Sequence, residues 1–186
     1  MKRYLSLLII CFTLTQFAYA QVEKGFNLVG GSSNIGLDSD RFLFTLTPNI
    51  GWFVVDGLAQ GGQISIFLTD DDRYTYLNIS LMPFIRYYFG KAKTKPFIHA
   101  AIGLGFDTYW RINFEGEKIK RSDNQLNYEL KAGIAYFITE QVALEGALAY
   151  RDYGISEELL GNFVIDIGFQ VHIFRIFNRK KESEMF

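Results

Sequence analysis

Residues 126–153, LNYELKAGIAYFITEQVALEGALAYRDY, change character at almost every step. Leu126, Tyr128, Leu130, Ala132, Ile134, Tyr136 and Ile138 share one parity, and Asn127, Glu129, Lys131, Gly133 and Ala135 share the other. After Thr139, Glu140 and Gln141 the pattern resumes, with Val142, Leu144, Leu148 and Tyr150 against Ala143, Glu145, Ala147, Ala149 and Arg151. Side chains of an extended strand point to opposite faces in turn. A period of two held this long therefore specifies strands, and the short break specifies an antiparallel hairpin.

The rest of the chain reads as further copies of this unit. A weak, glycine-rich strand is expected at 25–33, and stronger ones at 42–54, 58–69, 75–89, 97–112 and 163–174. Polar stretches at 34–41, 113–124 and 154–161 read as loops, and 70–73 (DDDR) and 91–95 (KAKTK) as solvated turns. WFVVDGLAQGGQIS (52–65) aligns without a gap on YFITEQVALEGALA (136–149), so one hairpin design is used twice. Its first copy is expected to set Val54 opposite Leu58 around a three-residue loop, with Gly57 at positive φ. In the second copy, Ile138 opposite Val142 sets Glu129 opposite Arg151. Pro48 and Pro83 fall in mid-strand, where bulges are expected.

Residues 1–20 stand apart. Met1-Lys2-Arg3 is a basic start, an apolar run follows, and Ala18-Tyr19-Ala20 is a small-x-small cleavage site, so this is a secretory signal peptide. The apolar run is well short of the roughly 20 residues a spanning helix needs. The only cysteine, Cys11, lies within it, so the processed chain carries no disulfide, thiol nucleophile or cysteine-bound metal. The barrel domain is then 21–177, followed by a charged tail at 178–186. Basic and acidic residues nearly balance at 19 and 20, which gives no electrostatic footprint for nucleic acid. The Asp70-Asp71-Asp72 run lacks the glycine and distal glutamate of a calcium loop. Neither a metal nor a cofactor is expected.

Alternation alone does not say which face is the interior, but residue size does. The polar face is rich in small residues, among them Gly103, Gly105, Gly133, Ala135, Ala143, Ala147, Ala149 and Gly168, which suit a crowded lumen. The apolar face carries Trp52, Tyr87, Trp110, Tyr128, Tyr136 and Tyr150 towards strand ends, where interfacial aromatic girdles sit. The expected fold is thus all-β: an eight-stranded antiparallel transmembrane β-barrel, an up-and-down meander, with its apolar face towards lipid. Its polar lumen network is expected to comprise Arg86, His99, Asp107, Arg111, Glu129, Lys131, Glu145, Arg151 and Asp166. Short turns at 56–57, 91–95 and 139–141 fall at one end, and the longer loops mostly at the other.

Five segments carry a resemblance: TPNIGWFVVDGLA (47–59), MPFIRYYFG (82–90), KPFIHAAIGLGF (95–106), GIAYFITEQVALE (133–145) and FVIDIGFQVHIF (163–174). Together they resemble the small outer-membrane β-barrel family of Gram-negative bacteria, the porin-like group similar to the membrane domains of OmpA and OmpX. The resemblance implies an outer-membrane location, lipid as the surrounding partner, insertion by the barrel-assembly machinery and a monomer. The chain departs from the family in its end: the last strand is followed by a charged tail rather than closing the chain on an aromatic.

The function expected is a structural or surface-interaction barrel, not an enzyme, with its lumen closed by side chains. Phe84, Tyr88, Phe97, Tyr109 and Phe137 share the inward parity with the charged set, and an eight-stranded interior is just wide enough for side chains to fill. Contacts with the exterior fall to the rim: Asp38, Asp40, Arg41, residues 70–73, residues 121–123, Glu157 and Glu158. A narrow small-solute channel is the alternative. A lipid-modifying enzyme is the third reading: a catalytic constellation could be assembled from Ser80, His99 and Glu145, but nothing in the sequence brings the three together.

Overall fold

The computed structural model describes residues 22–38, 41–71, 74–112, 118–152 and 163–174. The expected signal peptide at 1–20, the tail at 178–186, the stretch 154–161 expected to be a loop, and the rim residues Asp40, Asp72, Arg73, Glu157 and Glu158 lie outside them. Among the described residues the chain forms eight strands: β1 (Phe26–Asp38), β2 (Arg41–Val55), β3 (Leu58–Asp71), β4 (Tyr74–Tyr88), β5 (Thr94–Ile112), β6 (Lys118–Phe137), β7 (Val142–Asp152) and β8 (Phe163–Phe174). Each pairs antiparallel with its sequence neighbours, and β8 pairs back onto β1 from Phe26↔Phe174 to Ser33↔Ile167, closing the barrel. Closure leaves no unpaired sheet edge across the membrane-spanning height, which is what a hydrocarbon surround demands.

The alternation reads out as burial. In β4, Tyr76, Asn78, Ser80, Met82, Phe84, Arg86 and Tyr88 are buried while Ile79, Leu81, Ile85 and Tyr87 are exposed. The polar and charged side chains are thus inside, and the large aliphatic ones outside. Ile50, Leu81, Leu104, Leu130, Ile134 and Ile167, each at least half exposed, belong to a continuous apolar belt. An exterior this apolar belongs in lipid, not water.

Several strand limits differ from those the pattern predicted. β1 runs on to Asp38, β5 starts at Thr94, and β6 starts at Lys118, so 118–124 is ladder rather than loop. The β5–β6 ladder continues rung by rung from Leu104↔Leu126 to Ile112↔Lys118. Backbone hydrogen bonding does not need an apolar face, so the ladder outlasts the alternation once both faces meet water. Lys95, expected in a solvated turn, is instead buried inside β5, and its ammonium donates to the Gly90 carbonyl at 3.0 Å.

The hairpin at Asp56-Gly57 also differs. Val55, not Val54, stands opposite Leu58, and the parity is restored by a bulge between Phe53 and Val55. Gly57 does take the expected positive φ, at 79°. The turn is locked from below by the segment preceding β1: Gly57 N donates to the Val22 carbonyl at 2.6 Å, and Lys24 N to Asp56 Oδ1 at 2.9 Å. A Cβ at Gly57 would meet the Tyr88 carbonyl at 2.9 Å. Gly57→Ala is therefore expected to destabilise the barrel by about 1–2 kcal/mol in urea titrations, with backbone strain and this contact adding. An unchanged midpoint would refute that. The second hairpin needs no glycine, because the Thr139 hydroxyl accepts from Gln141 N and Val142 N at 3.2 and 3.0 Å.

No register shift occurs at the prolines. Pro48 stands opposite Gly31 and Pro83 opposite Gly62. On its other side each proline leaves a gap in the ladder, and pairing resumes in the same register at Asn49↔Gln63 and Phe84↔Ala101. A missing N–H costs a ladder bond but does not force an extra residue.

Candidate functional site in the barrel lumen

The lumen is built in layers. At the short-turn end the inward positions are aromatic and aliphatic: Val22, Phe26, Leu28, Phe53, Tyr88, Phe97 and Phe137 are all buried. His172 sits among them, with ring centroids 5.4 Å from Phe53, 5.8 Å from Tyr88 and 5.1 Å from Phe137. This floor is closed beneath by the Val22 segment.

Above it lies a charged layer. The Arg86 guanidinium donates to both Glu145 oxygens at 3.1 and 3.0 Å, and the Tyr88 hydroxyl donates to Glu145 Oε1 at 2.8 Å. Arg86 also lies 4.9 Å from the centroid of the Phe97 ring. Its Nε donates to His99 Nδ1 at 3.2 Å, which leaves the imidazole proton on Nε2, facing Glu129 at 3.4 Å. Glu129 is the hub: it meets Arg151 at 2.5 Å and Lys131 at 3.1 Å, and accepts from Gln63 at 2.9 Å. Lys131 and Arg151 both reach on to Asp166, and Ser32 joins Lys131 to the same carboxylate. Three cations and three anions thus share one buried layer and cancel. That condition matters, because breaking a buried pair strands a charge at a cost of several kcal/mol.

The third layer is neutral and amide-rich. Asn127 donates to Asn78 Oδ1 and Ser80 Oγ at 3.0 and 2.6 Å, and Ser80 donates to Asn78 at 2.5 Å. Gly105 is bare because the Asn127 amide fills the space a Cβ would take. Nearest the mouth, Asp107 accepts from the Tyr76 hydroxyl at 2.7 Å and from Asn78.

The predicted network therefore lies in two groups. Arg86, His99, Glu129, Lys131, Glu145, Arg151 and Asp166 are all buried in the charged layer, and Asp107 is buried apart from them. The Arg111 side chain lies outside the described residues. Glu129 and Arg151 stand directly opposite each other, as the Ile138–Val142 register requires. Ser80, His99 and Glu145 are not brought together: Ser80 bonds within the amide layer, His99 lies between Arg86 and Glu129, and Glu145 is taken up by Arg86 and Tyr88. Sequence reasoning missed Lys95, Gln63 and the pairing role of Tyr88. Lys95 was legible, since it shares parity with Phe97 and His99.

On the outer face, Trp52, Tyr87 and Tyr136 are exposed at the short-turn end, while Trp110, Tyr128 and Tyr150 are partly exposed towards the other. Lys93 and Lys120 place their ammonium groups 5.0 and 5.8 Å from the Tyr136 and Trp110 rings. Such pairs suit the boundary between hydrocarbon and headgroups.

No protein-family model matches the sequence, and no curated protein matches it either. Solved structures do match. The N-terminal β-barrel domain of Pseudomonas aeruginosa OprF is similar with a TM-score of 0.54 at 18% identity, over 81% of this chain and 98% of that one. Neisserial surface protein A is similar with a TM-score of 0.53 at 15% identity, over 80% and 97%. The fold is that of the small outer-membrane β-barrels.

Proposed function

We propose that this protein is an integral outer-membrane barrel with a structural or surface-interaction role, its lumen sealed by its own side chains. The observation that carries the reading is the filled interior. The aromatic floor, the charged layer and the amide layer lie one above another, and every charged group in the middle layer is engaged by another. An apolar belt bounded by aromatic residues supports the membrane setting, and the likeness in fold to outer-membrane barrels supports the particular membrane. The exterior is met at the rim, where Asp70, Arg121 and Asp123 are exposed.

Purified barrel reconstituted in planar bilayers is expected to give no stable single-channel steps. Stable steps that change on replacing Arg86 or Glu145 would replace this reading with that of a narrow channel. Turnover of lipid A or phospholipid, lost in His99→Ala, would replace it with an enzyme.

A further inference from the structure

The basic run KAKTK (91–95) holds lysines of two kinds. Lys95 is 1% exposed, and its ammonium is spent on the Gly90 carbonyl at 3.0 Å, with the centroid of the Phe137 ring 5.8 Å away. The backbone is tied as well: Phe89 N donates to the Pro96 carbonyl at 2.8 Å, and Phe137 N to the Lys93 carbonyl at 3.0 Å. The turn between β4 and β5 is thus pinned from within, and it presents Lys91 and Lys93, both exposed. It sits at the edge of the lipid-facing belt. The Lys93 ammonium lies 5.0 Å from the centroid of the outward Tyr136 ring, and Thr94 stands opposite Tyr136 on the ladder. Tyr87 and Phe89, both exposed, meet edge to face at 4.8 Å. Towards the midplane, Ile98 and Ile134 continue the apolar surface, each about half exposed. The acidic residues of this end, Glu23, Asp56 and Glu140, belong to the other turns and to the segment before β1.

We infer that the β4–β5 turn binds the headgroup of an anionic phospholipid in the leaflet at the short-turn end, which is the periplasmic one in such barrels. Lys91 and Lys93 are its cations, and the Tyr87, Phe89 and Tyr136 rings lie alongside the glycerol and the upper acyl carbons. A lysine ammonium on an aromatic face keeps N–H donors for a phosphate oxygen. Two cations with no acid in their own turn favour a headgroup of net negative charge, because they repel the cation of a zwitterionic one. A lipid fits better than a soluble anion because the site is continuous with the belt. One molecule meets the lysines with its phosphate and the isoleucines below with its chains. The inference rests on the membrane setting and not on the sealed lumen, so a conducting barrel would leave it standing.

The test is native mass spectrometry of the full-length barrel released from detergent micelles. It is titrated with phosphatidylglycerol and, separately, with phosphatidylcholine of the same acyl chains. Phosphatidylglycerol is expected to bind about tenfold or more tightly than phosphatidylcholine. Lys91→Gln and Lys93→Gln should each weaken it about fivefold, as the attraction of one lysine to an anionic headgroup surface implies, and leave phosphatidylcholine unchanged. Both positions are exposed, so the fold is kept, and circular dichroism before each titration verifies it. Lys120→Gln, beside Trp110 at the opposite end, should change neither lipid. Equal affinity for the two lipids, or a preference that survives in the Lys91→Gln/Lys93→Gln double variant, would overturn the site. A preference lost in Lys120→Gln instead would overturn it in favour of the opposite end.

Discussion

Glu129→Ala is expected to destabilise the barrel by about 3–5 kcal/mol, among the largest effects a single lumen substitution can have here. Glu129 is fully buried and holds Arg151, Lys131 and Gln63 at once. Its removal leaves two buried cations, Lys131 and Arg151, facing Asp166 alone. Urea unfolding in phospholipid vesicles, followed by the fluorescence of Trp52 and Trp110, measures the loss. Adding Lys131→Met to Glu129→Ala restores the balance of charge, so the double variant should recover part of the stability lost by the single one. Such non-additivity is the signature of a shared network. A loss below about 1 kcal/mol, the range of exposed pairs, would mean that the layer is wet and the lumen not sealed.

The second large effect is on the opposite face. Leu81 pairs with Ile64 and Leu104 in the middle of the belt and is 62% exposed. Leu81→Arg places a guanidinium near the bilayer midplane and is expected to cost about 2–4 kcal/mol, against about 0–1 for Tyr87→Arg at the girdle. The same urea titration compares them. Equal losses at the two positions would contradict the placement of the belt, because in water neither surface arginine should cost much.

These two predictions rest on information of different kinds. Leu81 was legible from its parity, and so were the inward charges, because a strand's side chains alternate whatever surrounds it. The small residues of the inward face also separated an inside-out barrel from a soluble one. The strand limits at Lys118 and Thr94 were not legible, since the alternation fades where both faces are wet while the backbone ladder continues. Nor was the parity change at Val54–Val55, since a two-residue turn with a bulge and a longer loop without one have the same composition.

What the sequence determined by itself was the number of strands, the face each side chain takes, and one rung, Glu129 opposite Arg151, because local hairpins carry register through their turns. What only the tertiary structure decided was which inward groups meet across the lumen. Arg86 on β4 finds Glu145 on β7, and Lys131 on β6 finds Asp166 on β8. The physical reason is closure. Strands two or three apart in order face one another across the interior only when β8 pairs with β1, and barrel tilt and side-chain reach then set which charges share a layer.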